Sequence, residues 1–417
     1  MRTNSHLLVA LHPHSWGRAA MALRVAQDLR AAGDEVFLLI HDALRPIFQA
    51  AGFSFDYVVD HLDGLVRLML DTCMRRLKPT TVIYFDYFNT ANYLHYRGIS
   101  DTSFLLEYDS AVMSLDTWDY QSTGHRIDLY GGTEGSLIYG DIAQRLEEFE
   151  RIDHRLIPVP MAPGDQRPGK FACLPTLTVP STASNWRSRL CIPDRDRLVL
   201  FCTAPWQQHA DGPADRKRLA DVLPALIGEY FRQLGPDVHL VHVGPEPYPL
   251  VSSLGENYHW LAPLGHTAFN ELLRCTDLFL SANISATTIT RAFHLRVPVL
   301  VLENSRPLNT IDDAHAVFGG RLTPRAESLL KDALPIYAFS LWPLGYHEFL
   351  HPLLENNPYC EALDRVELLD EAVVLARCRL LLDDADARQA MADRQEGYLK
   401  QVAALPSAAD VVHGFLA

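Results

Sequence analysis

Lysine is almost missing from this chain. Only Lys78, Lys170, Lys217, Lys331 and Lys400 stand among 37 Lys and Arg residues, against 51 Asp and Glu, for a formal net charge of −14. That field repels a phosphate backbone unless a concentrated basic patch overcomes it. The two basic runs, RRL at 75–77 and DRKRL at 215–219, are short and mixed with acids, as solvated helix faces are. Nucleic acid is therefore not an expected partner. Long apolar runs are lacking as well. Nothing approaches the roughly 20 apolar residues that cross a bilayer, so no membrane partner is expected. The opening MRTNSHLLVALHPHSWG has an apolar run of only about six residues and no small-residue cleavage site, which predicts no leader and a cytoplasmic protein.

Cysteine is sparse and unpatterned. Cys73, Cys173, Cys191, Cys202, Cys275, Cys360 and Cys378 are odd in number and show no CxxC spacing, so neither a disulfide framework nor a zinc site is implied. His12 and His14, with Pro13 between them, are poor zinc ligands without a third partner, and no metal is expected. There is no GxGxxG after a first strand, which argues against a dinucleotide-dependent oxidoreductase. No DxD metal motif is assigned either; DDAD at 383–386 falls in a helical C-terminal stretch.

What the chain does have is length and alternation. Its 417 residues, 48% hydrophobic and 21% charged, suffice for two or three domains with cores of their own. HLLVALH (6–12) reads as a strand buried on both faces, SWGRAAMALRVAQDLRAAGD (15–34) as a helix stopped by Gly33, and EVFLLIH (35–41) as the next strand. That is a βαβ unit with a right-handed crossover. Further strands are expected at 55–60, 81–86 and 111–116, helices at 61–77 and 89–98, and an extended, proline-bearing stretch at 155–163. FLLEY (104–108) suits strand or helix equally. Residues 161–185, rich in Pro, Gly, Ser and Thr, read as a linker. A second series follows: strands at 197–204, 238–244, 258–264, 277–283 and 297–304, helices at 219–235, 268–276 and 285–296, and a wholly helical 364–415 with a break at Pro406.

Residues 258–302 carry a more specific pattern: HWLAPLGHTAFNELLRCTDLFLSANISATTITRAFHLRVPVLVL, a short strand, a Pro turn, a Leu-Leu helix, a Thr-Asp-apolar-Ser strand, and a small-residue turn opening a helix that ends before Pro-Val. This resembles the donor-binding half of the GT-B glycosyltransferases. The first half is similar too, with Gly17 and Arg18 after the first strand and AAGDEVFLL before the second. The resemblance implies an α/β fold of two Rossmann-like domains with parallel sheets facing a cleft. The expected division is 1–175 for the acceptor-binding domain and 176–417 for the nucleotide-sugar-binding domain with its C-terminal helices. It further implies a hexosyltransferase moving a sugar from an NDP-sugar of UDP or GDP type to a small-molecule acceptor. The nucleotide-sugar is a co-substrate, and neither cofactor nor metal is required. Arg-over-Lys usage fits a GC-rich bacterial gene, and with it the tailoring of a specialised metabolite or nucleoside. Whether the chain forms a homodimer is left open.

The residues expected to act follow from what the chemistry needs. Ser285, Ala286, Thr287 and Thr288 sit where a strand becomes a helix, where unpaired N–H groups and the dipole suit a diphosphate. The alternative is an ordinary helix capped by Ser285. Thr203 and Gln207, in the loop after the first strand of the second half, open towards the same crevice, with a plain surface loop as the alternative. Trp260 and Ala262 lie where the family binds its base; Trp260 as core is the bland reading. Glu303 and Asn304 end a strand and suit sugar hydroxyls or a structural hydrogen bond. A His near neutral pKa, oriented by a carboxylate, deprotonates an acceptor. The resemblance implies a base His in the loop after the first strand and its Asp about a hundred residues later, so His14 with Asp116 is the expected pair, with His12, Asp86 and Asp109 as rivals and Trp16, Gly17 and Arg18 lining the acceptor side. One departure stands out: where family members place a ribose-binding Glu, this chain has Arg291. A UDP-sugar 2-epimerase of the same architecture and a catalytically silent partner subunit are the alternative readings.

Overall fold

The computed structural model describes residues 4–13, 16–59, 65–117, 147–159, 168–174, 185–208, 218–336, 338–341 and 356–417. Two fully parallel sheets organise it. The first contains β1 (Ser5–Ala10), β2 (Glu35–His41), β3 (Phe55–Val58), β4 (Thr81–Tyr84), β5 (Ala111–Leu115), β6 (His154–Val159) and β7 (Lys170–Ala172), in the order β3-β2-β1-β4-β5-β6-β7. The second contains β8 (Arg197–Cys202), β9 (Val238–Val243), β10 (Tyr258–Leu261), β11 (Leu278–Ser281), β12 (Val299–Glu303) and β13 (Asp364–Glu367), in the order β10-β9-β8-β11-β12-β13. Both sheets wind outward from their first strand and then reverse, which is the Rossmann order.

The central strands explain themselves. Leu7, Leu8 and Val9 of β1, Val82 and Ile83 of β4, Leu198 to Phe201 of β8 and Val299 to Leu302 of β12 are all fully buried, because helices cover both faces of a parallel sheet. The helices between them bury one stripe each. Helix Trp16–Ala31 turns Ala19, Ala22, Val25, Ala26 and Leu29 inward and ends before Gly33 at φ +93°. Helix Leu219–Leu234 ends at Gly235, φ +118°.

Three stretches differ from the sequence reading. Residues 364–367 form β13, not the start of a helix, and helix Glu371–Asp383 begins after it. The strand is polar because it is an edge: Asp364 pairs with Arg377 and Arg394, and Arg365 with Glu303. The 104–108 stretch falls in a 3-10 turn over Ser103–Leu106. Within the expected linker, Lys170–Ala172 forms β7, enabled by Gly169 at φ +93°, where a Cβ would sit 2.1 Å from the Arg155 carbonyl oxygen.

The chain finally returns to the first sheet. Pro406 accepts a hydrogen bond from Ala172 N at 2.9 Å, and helix Ala408–Leu416 receives the Asp28 carboxylate at its first amide, 3.3 Å away. Phe415 stacks on His154 of β6 at 4.8 Å. These last residues, counted with the second half on the sequence, pack on the first. No helix of the described residues is long and apolar enough to cross a membrane.

Candidate functional site

Each sheet reverses its winding at one pair of strands, β1/β4 in the first and β8/β11 in the second. Ligand crevices of parallel sheets form beyond the carboxyl ends of the strands at such points. The loops leaving β1 and β4 carry His12, Trp16, Gly17, Arg18 and Asp86; those leaving β8 and β11 carry Thr203, Gln207 and Ser285 to Thr288. The two points face each other. A Cβ on Gly17 would lie 3.2 Å from Thr287 Cγ2, so the start of helix Trp16–Ala31 meets the start of helix Thr287–His294.

The second of these helix starts is uncapped. The alternative of a cap by Ser285 is not realised: its hydroxyl and amide both go to Asn283 Oδ1, at 2.6 and 3.0 Å. The cap position falls to Ala286, which has no side-chain oxygen to offer. The first amides of the helix therefore lack the usual acceptor. Thr288 Oγ1 is buried beside them without a hydrogen-bond partner. All four residues from Ser285 to Thr288 are only half-buried. Uncapped amides, a dipole and a buried hydroxyl without a partner, on residues half-open to solvent, are chemically suited to an anion.

Thr203 is held by a relay that the sequence did not announce. Tyr248 N donates to Tyr258 Oη at 2.7 Å, Tyr258 Oη lies 2.9 Å from His242 Nδ1, and His242 Nε2 lies 2.8 Å from Thr203 Oγ1. Burial lowers His242 to a pKa of about 4, so it carries one ring proton at neutral pH. With the Tyr258 proton on Nδ1, that ring proton lies on Nε2 and points at Thr203. Thr203 then accepts and keeps its own O–H to donate onward. Gly244 is required here, since a Cβ would sit 2.3 Å from Thr203 Oγ1 and 2.7 Å from His242 Nε2.

Arg291, one turn into helix Thr287–His294, is 7% exposed, and burial lowers its pKa to about 10. Its Nη2 lies 3.2 Å from His266 Nδ1, and its guanidinium sits 5.9 Å from the centre of the Phe269 ring. No carboxylate pairs with it among the described residues. His266 is held neutral, its pKa lowered to about 4 by burial and by Arg291, so it accepts from the guanidinium without cancelling the charge. A buried cation without a counter-charge is what an anionic ligand would complete.

On the opposite wall, Arg18 pairs with Asp86 at 2.7 Å. Asp86 takes φ +69° at the end of β4 and caps helix Tyr87–Tyr96 through Asn89 N at 3.0 Å. It holds Arg18 and the start of that helix. His12 is half-buried, 5.8 Å from the Tyr93 ring centre, and Trp16 is 39% exposed. Asp116 is buried at the end of β5, 3.8 Å from Arg155 Nη1. His14 lies outside the described residues.

The remaining candidates divide. Gln207 Oε1 accepts from Ala204 N at 2.9 Å, which ties that oxygen to shaping its own loop. Trp260 is 39% exposed with its indole N–H on the Gly244 carbonyl at 3.1 Å, so it is a rim residue and not core; Ala262 is exposed beside it. Glu303 is held by Arg365 at 3.4 Å, and burial raises its pKa. Asn304 is buried; its carbonyl accepts from Phe339 N at 2.6 Å and its Oδ1 from Leu341 N at 3.4 Å. These two fasten segment 338–341 and strand β13, the structural alternative for that position.

The architecture recurs in solved structures. The spinosyn rhamnosyltransferase SpnG is 16% identical, with a TM-score of 0.54 over 99% of this chain and 100% of its own. The spinosyn forosaminyltransferase SpnP is 15% identical, with a TM-score of 0.52 over 100% and 98%. A UDP-N-acetylglucosamine 2-epimerase is 12% identical, with a TM-score of 0.54 over 94% and 91%. The fold is thus GT-B, two Rossmann-like domains with parallel sheets. No curated protein matches the sequence. Residues 25–416 match the family described as a family of unknown function, DUF6365, and the chain belongs to that family.

Proposed function

We propose that this protein is a glycosyltransferase that moves a sugar from a nucleoside-diphosphate sugar to a small acceptor, in the tailoring of a specialised metabolite. One observation carries the reading. The uncapped start of helix Thr287–His294 faces the opposite domain at Gly17, with the counter-charge-free Arg291 one turn behind it. A diphosphate is the ligand class that such a seat accommodates. The GT-B likeness supports the reading but shows the fold alone, and it covers a transferase and an epimerase equally well.

In this reading the acceptor's nucleophile attacks the anomeric carbon as the bond from that carbon to the diphosphate oxygen breaks. The departing diphosphate gathers negative charge, which the amides of Thr287 and Thr288, the Thr288 hydroxyl and Arg291 stabilise in place of water. The acceptor proton passes to His14, oriented by Asp116. No metal is needed for this charge balance.

The test is a panel of UDP, GDP and TDP with the purified chain, by thermal shift and calorimetry. One of them should bind and raise Tm. Silence towards all three would leave the silent-subunit reading. Incubation of the matching nucleotide-sugar without acceptor separates the remaining pair: an epimerised product would replace transfer by 2-epimerisation.

A further inference from the structure

A second cluster lies at the opposite, amino-terminal end of the first sheet, away from the cleft. His6 of β1 is completely buried, and its Nδ1 is 2.6 Å from Thr81 Oγ1 on the neighbouring strand, where the register sets the two side by side. Its Nε2 lies 3.2 Å from Asp34 Oδ2 yet makes no aligned hydrogen bond to it or to anything else. Asp34 follows the Gly33 turn and has a 7% exposed side chain. His413, from the returning helix Ala408–Leu416, places its Nε2 2.6 Å from the same Oδ2. The three donor atoms all fall within 4.8 Å of one another.

Neither tautomer satisfies this arrangement. With the proton on Nδ1, bonded to Thr81, the His6 Nε2 lone pair faces a carboxylate oxygen. With the proton on Nε2, a fully buried N–H misses its acceptor. A cation between the three atoms resolves the conflict. Neutral imidazole is the ligating form, and a His whose other nitrogen is held by a hydroxyl is oriented as metal ligands are.

We propose that His6 Nε2, Asp34 and His413 Nε2 form a site for a zinc-class divalent cation. Two imidazoles and one carboxylate suit a borderline-soft ion, and water completes the fourth position through the half-exposed His413. Metal–ligand bonds of about 2.0–2.1 Å set tetrahedral ligand atoms roughly 3.3 Å apart. The 3.2 Å pair already has that spacing, and His413 reaches it by a small swing of its exposed ring. The ion would clamp the returning C-terminal helix to β1 and to the turn before β2. The site is independent of the proposed sugar transfer.

The experiment uses the full chain, stripped with chelator and dialysed against Zn²⁺, or against Co²⁺ as a spectroscopic stand-in. One zinc per chain by elemental analysis, a tetrahedral Co²⁺ visible band and a Tm increase of about 3–5 °C at hundredfold saturation are expected. His413→Gln keeps a donor towards Asp34 but ligates zinc poorly, so it should abolish all three; His413→Cys, a zinc ligand, should restore the stoichiometry. No bound metal and no Co²⁺ band in the wild type would overturn the proposal. So would metal binding undiminished in His413→Gln, because the ion would then sit elsewhere.

Discussion

Gly17 and Thr287 stand face to face although 270 residues of chain separate them: a Cβ on Gly17 would lie 3.2 Å from Thr287 Cγ2. One opens the first helix of the first domain, and the other opens the helix that follows β11 in the second. Glycine here is a matter of approach and not of dihedral angle, since Gly17 has no positive φ. Gly17→Leu should push the two helix starts apart and fill the seat between them. A tenfold or greater loss of nucleotide affinity by calorimetry is expected, with Tm within about 2 °C, because the nearest atoms to a Cβ there all belong to the Thr287 side chain. Unchanged affinity would detach the diphosphate from this spot.

Arg291 makes stability and binding move in opposite directions. An unpaired buried guanidinium costs folding free energy, which Arg291→Met should recover, raising Tm or leaving it level. If the guanidinium receives the donor's phosphate, the same change removes a charge-assisted hydrogen bond worth about 1.5–3 kcal/mol, a loss of roughly 10- to 150-fold in affinity. Denaturant melts and calorimetry on one preparation check both signs. A variant that loses stability and keeps its affinity would make Arg291 a structural residue.

Much of the fold was legible because parallel strands covered on both faces read as unbroken apolar runs, as in HLLVALH and VPVLVLEN. β13 was not legible: its four residues, Asp-Arg-Val-Glu, are polar because only one edge is paired, and they carry no alternation to set them apart from the helix behind them. At the site, the Ser285 cap that local sequence offered as the alternative does not form, since Asn283, two residues upstream, takes both the Ser285 hydroxyl and its amide. The Tyr258–His242–Thr203 relay and the His6–Asp34–His413 cluster join residues 16 to 379 positions apart. No periodicity encodes such contacts.

His242 gives the protein a specific acid sensitivity. Unfolded, its pKa is near the ordinary 6.5; folded, burial holds it at about 4. Between these values the unfolded chain binds the extra proton, so stability present above pH 6.5 declines as pH falls towards 4, by up to about 3 kcal/mol. His266, also lowered to about 4, adds a decline of the same sign. Urea melts from pH 7 to pH 4.5 should show the slope, and His242→Gln should reduce it. A slope identical in that variant would remove His242 as its source.

Gly244→Ala tests the relay without removing any titratable group. The new methyl would lie 2.3 Å from Thr203 Oγ1 and 2.7 Å from His242 Nε2, so both must shift. Overpacking of a buried site costs about 1–3 kcal/mol. Denaturant melts should show that loss together with weaker nucleotide binding, because Thr203 no longer keeps its donor in place. Equal stability would mean that the loop moves aside freely, and that Thr203 is not fixed by His242.

In the proposed transfer, His14 carries the heaviest demand. Asp116 is buried at the end of β5 with a guanidinium nitrogen of Arg155 3.8 Å away. A base oriented by such a carboxylate loses only its proton-transfer contribution on truncation. His14→Ala should therefore lower kcat by about 10²–10⁴-fold and leave donor affinity nearly intact. The proposed donor seat lies with the second sheet, around Thr287 and Arg291, which is why the two effects should separate. His12→Ala is the control on the same loop: its ring packs near Tyr93, so a moderate change in Tm with kcat retained is expected. If His12→Ala silences the reaction and His14→Ala does not, the base is the earlier histidine and Asp116 is not its orienting partner.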